Sequence, residues 1–230
     1  MSPMDWREYA VQLAAKAREL LAEDTVDGTL HRIATSSVEL IEDCDAAGIL
    51  TIRKGQVATL AATEQLVVDS DRMQGECGEG PCFDAARTGH PVFRIMDMAE
   101  ERVRWPDYAP RAHDLGVGSM MGFLLYTENE DLGALNIYSR KRGVFTQDSE
   151  TAGWSLASHA AVALASAREQ AQMQEAVLTR HAIGEAMGII MAEHNLSERE
   201  AFDVLRRYSQ EKNIKLREVA QRVCERGTLD

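Results

Sequence analysis

No proline and no tryptophan occurs after residue 154, although the 230-residue chain has five of the first and three of the second. Without these breakers, nothing in the last third interrupts long helices. Cysteine is also sparse. Cys44, Cys77, Cys82 and Cys224 are too few and too scattered for a disulfide framework, and a chain of this length buries a core without staples. There is no Cys-x-x-Cys, and His31, His90, His113, His159, His181 and His194 show no ligand spacing, so no metal site is expected. No apolar run approaches the roughly 18 residues of a membrane span. Met1 to Arg7 lacks a basic stretch leading into an apolar one, so secretion is not expected and reduced thiols in a cytoplasm are. Basic residues are outnumbered, 25 Lys+Arg against 37 Asp+Glu, for a net charge of -12. Taken over the whole chain, that balance argues against nucleic-acid binding.

What is present is ordinary globular material, 45% apolar and 27% charged. The length predicts one large or two unequal domains. Charge divides the chain. Residues 1–177 hold 16 basic and 28 acidic side chains, whereas residues 178–230 hold nine of each. The acidic excess therefore lies outside the tail.

The spacing of Trp6, Tyr9, Leu13, Ala17 and Leu20 predicts an amphipathic helix within residues 1–24. A second helix carries Val26, Leu30, Ile33, Val38 and Ile41, with Asp24 as its expected N-cap. Ala46–Ile52 and Val57–Ala62 read as a hairpin about the turn 53–56. Further strands are expected at Pro91–Met96, Met120–Tyr126 and Leu132–Tyr138. Short helices are expected at Pro81–Thr88, closed by Gly89, and at Pro106–Leu115, each with proline first. Five strands among helices make an α/β or α+β sheet domain of roughly 140 residues.

From Gln147 the pattern is helical for about 45 residues. Ala157, Leu164, Ala171 and Leu178 recur every seven and suit a coiled-coil seam, although Ala160, Ala167 and Gln174 make it a weak zipper. A connecting, dimerising helix is expected over 148–180. Ser197 and Glu200 form a capping box before a helix carrying Ala201, Phe202, Leu205 and Tyr208. Asn213 is expected to cap a last helix with Leu216, Val219, Ala220 and Val223 inward, ended by Gly227.

Two segments carry a resemblance. His181-Ala182-Ile183-Gly184-Glu185-Ala186-Met187-Gly188-Ile189-Ile190-Met191, then Ala201-Phe202, Leu205-Arg206-Arg207, Ser209-Gln210 and Asn213-Ile214-Lys215-Leu216-Arg217-Glu218-Val219-Ala220, resemble the ANTAR domain. That resemblance implies an RNA-binding transcription-antitermination module over 177–230, recognising hairpin loops in nascent RNA. Met187 departs from the lysine found in many members. Arg180, Arg199, Arg206, Arg207, Ser209, Gln210, Asn213, Lys215 and Arg217 are the expected RNA-binding residues. Arginine brings a planar fork for phosphates and base edges; Ser, Gln and Asn bring neutral readout. Splayed loop bases are the usual target of sequence-specific RNA recognition.

Gly78-Glu79-Gly80-Pro81-Cys82, Asp84-Ala85, Thr88-Gly89-His90-Pro91-Val92, Arg104-Trp105-Pro106 and Gly133-Ala134-Leu135-Asn136-Ile137-Tyr138 resemble a GAF domain over 25–168. The resemblance implies an α+β fold, an antiparallel sheet flanked by helices, that receives a small molecule, a redox signal or a partner protein. It names no ligand and no cofactor. Phe93, Trp105, Tyr108 and Met121 are candidate pocket-wall residues, although large apolar side chains in a sheet domain are usually plain core. The glycine-rich loop at 78–80 reads either as a phosphate cradle or as a tight turn. Cys82 reads as a small buried cysteine or, in a first helical turn whose dipole can lower a thiol's pKa, as a reactive one that Cys77 is near enough to resolve. The expected whole is a cytoplasmic homodimeric regulator, not an enzyme. The alternative is a GAF-fold thiol reductase acting on free methionine sulfoxide through Cys77 and Cys82. A GAF domain that has lost its ligand and only dimerises is the third reading.

Overall fold

The structure is a computed structural model. It describes residues 4–88, 91–128 and 130–229, and at 86–88 the backbone alone. Gly89, expected to close a helix, lies outside the described residues, as does His90. The chain forms two units, residues 1–168 and 169–230.

The first unit opens with α1 (Trp6–Leu21), whose N-cap Asp5 accepts from the amides of Arg7 and Glu8. Helix α2 (Val26–Leu40) is capped by Thr25, which accepts from Gly28 N, so Asp24 is not the cap. Strands β1 (Ala46–Arg53) and β2 (Gln56–Ala62) pair antiparallel through a turn in which Lys54 and Gly55 both have positive φ. Helix α3 (Gln65–Cys77) follows, where no helix was expected. Then come α4 (Pro81–Thr88), β3 (Val92–Ile95), a 3-10 turn at Met98–Val103, and α5 (Tyr108–Asp114). Pro106 lies before α5, so proline leads a helix only at Pro81. Strands β4 (Ser119–Tyr126) and β5 (Asp131–Ser139) complete an antiparallel sheet of order β2-β1-β5-β4-β3.

Alternation along the strands divides the side chains between two cores. Met121, Phe123, Leu135 and Ile137 bury with α1, α2 and the start of α6 (Gln147–His194), supplied by Leu13, Leu20, Ile33, Leu156 and Leu164. Met120 and Tyr138 bury with α3 and α5 through Val67, Trp105 and Tyr108. The sheet thus has one face of apolar helices and another against short helices.

Helix α6 runs unbroken for 48 residues. Of the seven-residue seam, Ala157 and Leu164 belong to the first core, whereas Ala171 and Leu178 are exposed. In the second unit Ala186 and Ile190 of α6 pack with Ala201 and Leu205 of α7 (Glu198–Lys212) and with Val219, Ala220 and Val223 of α8 (Leu216–Arg226). The capping box of Ser197 and Glu200 is formed. Asn213, at φ 52°, is the left-handed C-cap of α7, and Lys215 stands at the N-cap of α8. Gly227 closes α8 in the same left-handed conformation.

Candidate functional site

The face of α3 turned to the sheet is polar. Ser70, Asp71 and Gln74, with Val67, recur at helical spacing and are all fully buried. Asp71 accepts from Thr59 Oγ1 at 2.9 Å and from the Tyr138 hydroxyl at 3.3 Å. Ser70 bonds the Tyr108 hydroxyl at 2.8 Å. Burial pushes the Asp71 carboxyl up to about 7, against the hydrogen bonds of Thr59, Tyr138 and Asn136, which lower it. The same burial raises the Tyr108 and Tyr138 hydroxyls.

Cys82 joins this network to a cavity of about 220 Å³. Its sulfur accepts from Asn136 Nδ2 at 3.2 Å, and it lines the cavity with Leu50, Ile52, Leu124, Ala134 and Asp131. Phe93, Trp105 and Tyr108 lie in the core on this side of the sheet but do not line the cavity. Met121 is in the opposite core, because it neighbours Met120 on a pleated strand. The four expected pocket residues are therefore not one wall. Trp105 Nε1 and Arg104 Nε both donate to Asp84 Oδ2, at 3.2 and 2.9 Å, and the Arg104 guanidinium lies over the Phe93 ring.

The glycine-rich loop is explained from within the protein. Gly80 has φ +117°, and a Cβ there would stand 2.5 Å from Gln74 Oε1. That oxygen accepts from Cys82 N at 3.2 Å, so the side chain of Gln74 occupies the N-terminus of α4, where a phosphate would sit. Glu79 accepts from the amides of Asp107 and Tyr108 at the start of α5. The tight-turn reading accounts for the motif.

In the second unit six of the nine expected RNA-binding residues fall in two places. Ser209, Gln210, Asn213 and Lys215 surround the α7–α8 turn. Ser209 Oγ donates to Ile214 O at 2.6 Å, so this hydroxyl builds the turn. Arg180 and Arg199 line a groove between α6 and α7, with Met187 on its floor. Arg206 pairs with Asp203 at 3.1 Å, and Arg217 pairs with Glu175 of α6. Arg207 and Lys215 are exposed, and neither forms an ion pair with a described residue.

Two family profiles match this chain, one over each unit. The GAF domain profile matches residues 23–165, and the ANTAR domain profile matches 171–223. This chain belongs to the GAF family and carries an ANTAR domain. Among solved structures it resembles a phytochrome chromophore-binding domain from R. palustris, at 11% identity and TM-score 0.56. That match covers 73% of this chain and 64% of the other, just under two thirds of it. It also resembles the GAF domain of a phosphoenolpyruvate-protein phosphotransferase from Coxiella burnetii (17% identity, TM-score 0.56, 74% and 99% covered). A free methionine-R-sulfoxide reductase from Neisseria meningitidis matches at 14% identity and TM-score 0.57, with 74% and 95% covered. These likenesses show the fold. No curated protein matches the sequence.

Within the GAF domain Cys82 is the buried cysteine of the two readings, and the lowering that a helix N-terminus would bring is reversed. Full burial pushes its thiol up to about 12, which outweighs the helix N-terminus. Cys77 is half-buried, and its sulfur accepts from Arg111 Nη1 at 3.3 Å. Among the described residues no cluster of three or more His, Cys, Asp or Glu is placed to hold a metal, and no helix is long and apolar enough to cross a membrane. Sequence periodicity missed α3 because its buried face is polar. The visible signal was the helical spacing of Val67, Ser70, Asp71 and Gln74 itself.

Proposed function

We propose that this chain is a signal-responsive antitermination regulator of the cytoplasm, its GAF domain receiving a small molecule and its ANTAR domain binding hairpin loops in nascent RNA. The observation that carries the reading is the ANTAR match over a unit that presents Gln210, Asn213 and Lys215 to solvent around the α7–α8 turn and Arg207 on α7. Domain limits of 25–168 and 177–230, joined by residues 148–180 of α6, follow from the same reading. A signal must favour one arrangement over another, because a ligand that binds both states equally shifts nothing. Of the signal classes, the cavity beside Cys82 supports a small molecule. A buried thiol raised to about 12 does not support a thiolate switch, nor the sulfoxide-reductase alternative, which needs an accessible thiolate.

RNA binding by the full-length protein tests the effector. Arg207→Ala and Asn213→Gly are each expected to weaken hairpin affinity about tenfold, the loss of one good contact. Glycine is the replacement at 213 because it keeps the left-handed backbone that alanine would strain. The melting temperature of Asn213→Gly should match the parent. Unchanged affinity in both variants would remove the turn from the RNA face.

Homodimerisation is proposed from the apolar side chains left in water on α6. Val162, Met173, Val177 and Leu178 are all exposed. Light scattering of Leu178→Glu should show a monomer where the parent is a dimer, with helix content unchanged. A variant that stays dimeric at equal concentration would place the interface elsewhere.

A further inference from the structure

We propose that the groove between α6 and α7 of the ANTAR domain is a single-base pocket. It would take one unstacked RNA base that bears an exocyclic amino group, with the adjoining phosphates on Arg180 and Arg199. The proposal rests on the RNA-binding reading and gives it an address apart from the α7–α8 turn.

The groove has a volume of about 470 Å³, with Ile183 and Met187 on its floor. Three features there are unexplained by folding. The first is Gly184. A Cβ at this position would meet nothing within 4 Å, yet glycine inside a helix is less stable than alanine. The fold has no steric need for it, whereas an incoming flat group that must approach the helix backbone does. The second is Phe202. Its neighbour Ala201 is fully buried, but this aromatic ring remains 37% exposed at the groove. A ring in that position offers a stacking platform, which any base can use. The third is charge. Arg180 and Arg199 form no ion pair with a described residue, unlike Arg206 and Arg217, whose carboxylates are supplied by Asp203 and Glu175. Two unpaired guanidinium groups beside an apolar slot match the phosphates on either side of a splayed nucleotide.

Glu198 also lines the groove, in the first turn of α7. A carboxylate accepts hydrogen bonds only. Near phosphates it repels unless a base donor meets it. Adenine, cytosine and guanine each carry an exocyclic amino group, whereas the donor on the uracil edge is its ring N3–H, so a carboxylate set to meet an amino group disfavours uridine. A second copy of the chain fits the groove less well. The same groove on a second copy would offer one carboxylate, that of Glu198, against two guanidinium groups.

The test uses the full chain and a hairpin selected by it from an RNA library with a randomised loop. Gly184→Ala should melt at the same temperature or higher, yet bind that hairpin about tenfold more weakly. Phe202→Leu, which keeps apolar bulk without a stacking plane, should also lose affinity. Replacing loop bases with uridine one at a time should identify one position where the parent loses about tenfold and Glu198→Gln loses little. If the parent binds its hairpin and all three variants bind equally well, with the same base preferences, the pocket is overturned while the RNA reading stands. If no hairpin is selected, the RNA reading fails and the pocket fails with it. If Gly184→Ala instead shifts the protein from dimer to monomer, the groove is a contact between copies and the proposal is wrong.

Discussion

Asp71→Asn is expected to raise the melting temperature of the GAF domain at pH 8 and to leave it nearly unchanged at pH 4.5. The carboxyl is fully buried among Thr59, Tyr138 and Asn136, and burial raises it from an ordinary 3.8 to about 7. Between those two values the folded protein holds a proton that the unfolded chain has released. Stability associated with the protonated form is therefore complete below about pH 4, falls as pH rises toward 7, and is flat above it. A rise of this size corresponds to roughly 4 kcal/mol lost across the window. For a unit of this size that is on the order of 10 °C in melting temperature. Asparagine approximates the neutral acid in shape and hydrogen bonding but does not titrate, so the variant should lose the slope. Thermal melts of both proteins from pH 4.5 to 8.5 provide the check. A parent whose stability increases over the same window would show that the network holds Asp71 as the anion.

Leu205→Ala should unfold the ANTAR domain while leaving the GAF domain intact. Leu205 is fully buried where α6, α7 and α8 meet. Removing such a side chain costs about 2–5 kcal/mol through lost transfer energy and the cavity left behind. A unit of residues 169–230 is small enough that its whole stability is of comparable size. Hydrogen exchange should show α7 and α8 losing protection while β4 and β5 keep theirs, and RNA binding should vanish. If α8 stays protected, the triplet has a larger core than its seven buried side chains indicate.

Charge patterning bears on the RNA reading in the same direction. The net charge of -12 belongs to residues 1–177, and residues 178–230 balance. A face that is only locally basic, with Arg206 and Arg217 already paired, leaves few cations to displace counterions. Affinity should then lean on base readout and on two sites acting together in a dimer.

Much of the fold was legible because its signals are local. Apolar runs bounded by turn residues marked all five strands, and the Ser197–Glu200 box marked the start of α7. Helix starts were misread where neighbours competed for one role, as with Asp24 and Thr25, or Pro106 and Asp107. The family motifs placed both domains, since they record residues rather than periodicity. The pocket residues were not legible. Choosing the large apolar side chains put Met121 with Phe93, Trp105 and Tyr108, whereas the pleat sends it to the other core.

The sequence by itself determined two domains, the sheet with its helices, the unbroken α6 and the triplet that follows, because each depends on short-range spacing, caps and breakers. Only the tertiary structure decided that the face of α3 turned to the sheet is polar, that Cys82 is a buried thiol rather than a poised one, and that Gln74 fills the glycine-rich loop. It also divided the basic residues into paired and unpaired. The physical reason is common to all four. Desolvation, hydrogen bonding and ion pairing depend on what lies across from a side chain, and the fold sets that partner: Cys82 N for Gln74, Asn136 for Cys82, and Glu175 for Arg217.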